Sequence, residues 1–263
     1  MFTVPIRRWL AIGFVAMLVA TVPSLAVANH SWNGYHWART SNPFTLQVGD
    51  NVSSTWDAYL DGAISDWTAS TVLNLNKVPG GTRPKPCKAT AGRIEACSAS
   101  YGNNGWLGIA QIWVTGGVHI TQAVTKVNDY YFNQPAYNTP AWRRLVICQE
   151  IAHDFGLDHQ DENFNNANLG SCMDYTNDPD GGAGGAVNND PSNEHPNSHD
   201  YQELVTIYSH LDSFSTVGGS SASAPFPSDW GRLTSGSRAG GYSVYVKSDG
   251  QGNAVITHVI WAR

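Results

Sequence analysis

Gln149-Glu150-Ile151-Ala152-His153-Asp154-Phe155-Gly156-Leu157-Asp158-His159 is the stretch on which the reading of this chain turns. Gln149 and His153 are four residues apart and share one face of a helix, with Glu150 beside them. Gly156 follows His153 by three residues and can take the left-handed conformation that ends a helix. The chain can then swing back and carry His159 toward His153. This is the geometry of a three-ligand metal site with one open position and an adjacent carboxylate to handle protons.

The flanks agree. Thr139 as cap and Pro140 at the first helical position are a helix start signal. Trp142, Leu145, Val146, Gln149, Ala152 and His153 then form one inward stripe, so Gln149 stands where a core residue would stand. Downstream lies a second short motif, Ser171-Cys172-Met173-Asp174-Tyr175.

Together the two motifs resemble the metzincin zinc-peptidase signature, H-E-x-x-H-x-x-G-x-x-H followed by a Met-turn. Glu150, His153, Gly156 and His159 match, and Met173 matches the Met-turn; the first ligand histidine is replaced by Gln149. The resemblance implies one catalytic Zn²⁺ on Gln149, His153 and His159, with Glu150 as general base for hydrolysis by metal-activated water. Tyr175 stands where the astacin-like and serralysin-like branches place a tyrosine that steadies the oxyanion, and Met173 implies an apolar floor beneath the metal. A carboxamide oxygen is a weaker donor than imidazole but equally neutral, so the exchange weakens metal retention more than water activation. Three readings follow: Gln149 ligates, or another group such as His195 or His199 fills its place, or the site is inert and the fold serves binding.

The N-terminus has the pattern of a secretory signal peptide: Arg7 and Arg8, an apolar run from Trp9 to Val19, and an A-x-A site at Ala26-Val27-Ala28. Residues 1–28 are expected to be removed and the protein to be secreted. Loss of Arg7 and Arg8 takes the formal net charge from -6 to -8, which argues against nucleic acid or anionic membranes as partners. Four cysteines allow three pairings. In an exported chain they favour disulfides, expected as Cys87–Cys97, closing a short loop, and Cys148–Cys172, stapling the helix to the Met-turn.

Read in order, Phe44, Leu46 and Val48 alternate as a strand. A helix capped by Ser53 or Ser54 carries Trp56, Tyr59, Leu60, Ala63, Ile64 and Trp67 at helical spacing, and Val72 to Leu75 is a short strand. Two strands, Trp106–Val114 and Val118–Val127, flank Gly116-Gly117. In the family resembled, an edge strand just ahead of the active helix pairs with extended substrate, and one of these two is the candidate. His119 reads as a surface strand histidine. The aromatic run Tyr130–Tyr137 lines a cleft or covers the core. Asp178-Pro179-Asp180-Gly181 offers oxygens suited to Ca²⁺. A helix over Asp200–Leu211 carries Asp200 and Glu203 at capping-box spacing. A Gly/Ser-rich stretch over 214–222 precedes alternating runs Tyr242–Val246 and Ala254–Trp261, a hairpin signal.

The expected fold is α+β: a metzincin-like catalytic domain over 29–213, with a twisted mixed sheet, active-site helix, Met-turn and C-terminal helix, then a linker and small β-hairpin tail over 214–263. The expected function is a secreted, monomeric zinc endopeptidase acting on protein or peptide. The alternatives are a non-catalytic secreted binding module with a degenerate metal site, and a sugar- or wall-binding protein using its exposed aromatics.

Overall fold

The computed structural model describes residue 1 and residues 30–183, 187–219 and 229–263; the expected signal segment, Met1 apart, and residues 220–222 of the expected linker lie outside the described residues. The chain forms β1 (His36–Trp37), β2 (Phe44–Asn51), α1 (Asp57–Thr68), β3 (Leu73–Pro79), β4 (Ile94–Ala99), β5 (Trp106–Thr115), β6 (His119–Asn128), α2 (Asp129–Phe132), α3 (Pro140–His153), α4 (Ser198–Ile207), β7 (Arg232–Ser237), β8 (Tyr242–Ser248) and β9 (Ala254–Trp261). The architecture is α+β, with one mixed sheet ordered β3-β2-β4-β6-β5-β9-β8-β7 and β1 beside β6.

The sheet has two halves. β2, β3, β4 and β6 are parallel, made possible because α1 crosses from β2 to β3. From β5 onward every pairing is antiparallel. The switch comes at Gly116 and Gly117, both at positive φ, which close the β5–β6 hairpin. α1 and α3 pack on one face. Trp56, Leu60, Ala63 and Trp67 are buried from α1, and α3 contributes Leu145, Val146, Ile151 and Ala152 to the same core.

Both predicted disulfides are present, Cys87–Cys97 and Cys148–Cys172. Thr139 caps α3, accepting a hydrogen bond from the Trp142 amide, and Pro140 opens the helix. Tyr131, Phe132 and Tyr137 are buried, so this part of the aromatic run covers the core. No helix among the described residues is long and apolar enough to cross a membrane.

Four expectations need correction. The N-cap of α1 is Trp56, which makes no side-chain cap, while Ser53 supplies only a carbonyl that accepts from the Trp56 amide. The capping box of α4 sits three residues earlier than expected: Asn197 caps and Asp200 is its acidic partner, because Asn197 accepts from the Asp200 amide while Asp200 accepts from the Asn197 amide. β7 has no counterpart in the sequence reading; all six of its residues are exposed, so it carries no burial alternation. Neither β5 nor β6 is an edge strand. β6 runs between β4 and β5, and β5 runs between β6 and β9, with β9 paired along it from Trp106 to Val114.

Candidate metal centre

α3 delivers Gln149, Glu150 and His153 with all three side chains fully buried. The helix ends at once. Gly156 at φ +99 makes the turn, and a Cβ there would strike the Tyr35 carbonyl, so only glycine fits. His159 then lies against His153 with ring centroids 4.7 Å apart. The Met-turn is wired from three sides. Ser171 Oγ receives the Met173 amide at 2.9 Å and donates to Asp200 on α4 at 2.7 Å, and the Gln160 amide donates to the Met173 carbonyl at 2.6 Å.

Gln149 Nε2 donates to the Cys172 carbonyl at 2.8 Å, tying α3 to the Met-turn beside the Cys148–Cys172 disulfide. Its Oε1 is buried without a hydrogen-bond partner. His153 donates from Nδ1 to the Leu157 carbonyl at 2.8 Å, which leaves Nε2 as a bare, buried lone pair. Both ring nitrogens of His159 are likewise buried and unpartnered by hydrogen bonds, with Asp158 and Glu162 carboxylates at 3.4 and 3.9 Å from Nδ1. Buried donor atoms of this kind, left unsatisfied together, fit a divalent cation.

A third imidazole completes the cluster. His258, in the middle of β9, groups with His153 and His159 with one ligating atom from each within 4.8 Å of the others. Its ring lies 4.1 Å from that of His153 and 4.5 Å from that of His159. His258 Nε2 is 2.8 Å from the Tyr175 hydroxyl, and Nδ1 is 3.5 Å from Glu150 Oε2. Its register explains the placement: His258 pairs with Ala110 on β5 and Val244 on β8 and shares a strand face with Ile256 and Ile260, which join the core packed on α3. A signal was available, since alternation places one histidine among the inward aliphatics of Ala254–Trp261. His195 and His199 lie elsewhere. His195 pairs with Asp66 at 2.7 Å, and His199 stacks on His30.

The site is sealed. Glu150, His153 and His258 have no exposed surface and Tyr175 is buried. Trp32 lies 5.4 Å from the His153 ring, while Tyr175 stacks between Phe164 at 4.7 Å and Tyr242 at 5.2 Å. Tyr242, on β8, donates to Glu162 at 2.5 Å and latches the hairpin to the loop after His159. Burial pushes the Glu150 carboxyl well above the usual range, with Asp154 adding to the rise, and pushes His153 and His258 well below theirs, each helped by the neighbouring histidines. Burial likewise raises the Tyr175 hydroxyl, and Glu150 adds to it. A cation in the cluster would oppose the rise at Glu150 and Tyr175 and deepen the lowering at His153 and His258. The Asp178–Gly181 turn does not gather three carboxylate or imidazole donors among the described residues.

No protein-family profile matches the chain, and no curated protein matches it. Among solved structures, high choriolytic enzyme 1, a hatching-enzyme zinc-protease from Oryzias latipes (medaka fish), aligns with a TM-score of 0.35 and 14% identity over 66% of this chain and 94% of that one.

Proposed function

We propose that this chain is a secreted zinc peptidase of metzincin type at rest in a closed state, its site plugged by its own C-terminal hairpin. One observation carries the reading: the His258 imidazole lies between the Tyr175 hydroxyl and the Glu150 carboxylate, against both histidines of the signature. That is where a scissile peptide and its attacking water would have to sit. Zinc would be held by His153, His159 and His258 at rest, with the unpartnered Gln149 Oε1 as a weaker donor. It would supply Lewis acidity toward a peptide carbonyl and acidify a water molecule.

The chain's own groups then divide the work. Glu150 accepts the proton of the attacking water on its carboxylate and returns it to the leaving amine. The Tyr175 hydroxyl, released from His258, donates to the developing oxyanion. Met173, with no exposed surface, keeps water from beneath the site. Substrate would pair with β5 by strand addition once β9 leaves it, and Gln149, His153 and His159 would then keep the metal. His258 thereby offsets the weak Gln149 donor and blocks turnover at the same time. The full pairing of β5 with β9 also favours a second reading, a non-catalytic binding module with a permanently closed metal site.

The two readings separate on His258→Ala. As a latent peptidase, the variant binds zinc roughly 10- to 100-fold more weakly, yet at saturating zinc it cuts an unstructured fluorogenic peptide faster than wild type. Adding Glu150→Gln abolishes the gain. A folded, zinc-saturated His258→Ala chain that cuts nothing makes the protein a binding module.

A further inference from the structure

A second histidine cluster shares no residue with the first and gathers at the start of β6. His36 of β1, His119 of β6 and Asp212 of the segment after α4 each offer one ligating atom within 4.8 Å of the others. The pairs are closer than that bound. His119 Nε2 is 3.2 Å and His36 Nε2 is 3.6 Å from Asp212 Oδ1. A fourth group joins them: His210 Nε2 is 3.2 Å from His36 Nε2 and 3.9 Å from Asp212 Oδ1. Tetrahedral zinc with bonds of about 2.0 Å holds its ligands roughly 3.3 Å apart. The separations from Asp212 to His119 and His36, 3.2 and 3.6 Å, bracket that value.

Hydrogen bonding fixes the donors in ligating form. His36 donates from Nδ1 to the Gly34 carbonyl at 2.7 Å, so in the neutral ring Nε2 is a lone pair aimed at a carboxylate oxygen and another imidazole nitrogen. The His36 and Asp212 side chains are only 6% and 9% exposed, and without a metal ring protons bridge the group, His119 Nε2–H donating to Asp212 Oδ1 and His210 Nε2–H to His36 Nε2; a cation that displaces those protons meets the same atoms already gathered. Asp212 is held so that only one oxygen is available. Its Oδ2 accepts from the Arg39 backbone amide at 3.1 Å and from Arg39 Nη1 at 2.9 Å, leaving Oδ1 to face the three imidazoles. Arg39 here does what partners behind a metal ligand do, orienting the carboxylate.

We propose that His36, His119 and Asp212 form a second zinc site, structural in role, with two imidazole nitrogens and one carboxylate oxygen, and with the His210 ring beside His36 and Asp212 as the group nearest a fourth position. It clamps three distant stretches: the N-terminal segment, β6 in the middle of the sheet, and the chain leaving α4. The N-terminal segment also carries Trp32, which packs on His153, so the clamp supports the cover of the first centre.

Zinc itself is the probe. The full secreted chain, stripped with chelator and dialysed against Zn²⁺, is assayed by elemental analysis, and its thermal unfolding is followed with and without the ion. Wild type is expected to hold two zinc ions per chain. His119→Gln removes one while His153→Ala/His159→Ala removes the other, and the triple variant holds none. His210→Ala, at a ring 51% exposed and therefore tolerant of truncation, weakens one site by tenfold or more while leaving the fold intact. A chain in which His153→Ala/His159→Ala abolishes all binding, or in which folded His119→Gln and His210→Ala bind zinc as wild type does, overturns the proposal. If the first centre binds nothing, wild type holds one ion, lost in His119→Gln and retained in His153→Ala/His159→Ala.

Discussion

Single atoms set the limits at this centre. Gly108 on β5 sits under α3 so closely that an added Cβ would lie 2.7 Å from Glu150 Oε1 and from Val146 Cγ1. Gly108→Ala is expected to destabilise by about 1–3 kcal/mol in denaturant unfolding, by forcing α3 off the sheet, and to lower the cleavage gained in His258→Ala. Glu95 is a second such residue, away from the metal. Burial raises its carboxyl, but hydrogen bonds from Thr90, Asn51, the Gly81 amide and Arg93 outweigh that and hold it below its ordinary value. Its folded-state value is therefore lower than its unfolded one. The stability it contributes is complete above the unfolded value of 4.5 and is lost as pH falls through the folded value. Wild type is expected to lose more stability than Glu95→Gln between about pH 6 and about pH 3; equal losses by thermal unfolding would contradict the network.

Local elements were legible to the extent that their signals were local. α3 announces itself through Thr139, Pro140 and one apolar stripe, and both disulfides appear as expected. α1 is visible in the spacing of its tryptophans but not in its cap, because Trp56 makes no side-chain cap bond for a propensity to reveal. β7 was illegible, since an exposed strand is defined by its partner β8 and not by its own burial pattern. For His258 the alternation of Ala254–Trp261 marked an inward histidine but not where it would land. Nothing in the signature says which distant strand will be laid along β5, and only that pairing brings β9 to α3. The Cys148–Cys172 bridge offers a test at this scale. Its sequence separation of 24 predicts a loss of roughly 3 kcal/mol on Cys148→Ser/Cys172→Ser. The bridge flanks the Gln149–Cys172 hydrogen bond, so zinc affinity at the first centre should fall as well. Cys87→Ser/Cys97→Ser should lower stability while leaving that affinity unchanged, as read by zinc titration.

Across the whole molecule, the C-terminal hairpin continues the sheet over the strand beside α3, and the chain's last strand sets His258 against His153 and His159. The arrangement joins burial of the site and occlusion of β5 in one structural unit, and on the proposed function it would couple metal retention to both. Tyr242 and Glu162 latch that unit to the loop after His159, so Tyr242→Phe should lower the barrier to opening and speed hydrogen exchange at β9 amides while leaving β2 and β4 protected. Exchange at β9 unchanged from wild type would mean that the latch is idle. The most direct test is zinc-edge X-ray absorption on the chain carrying His119→Gln, which isolates the first centre, with and without His258→Ala. Three imidazole ligands falling to two on His258→Ala is the expected result. An imidazole count that does not change when His258 is removed would contradict the placement of this residue on the metal, and with it the self-plugged site.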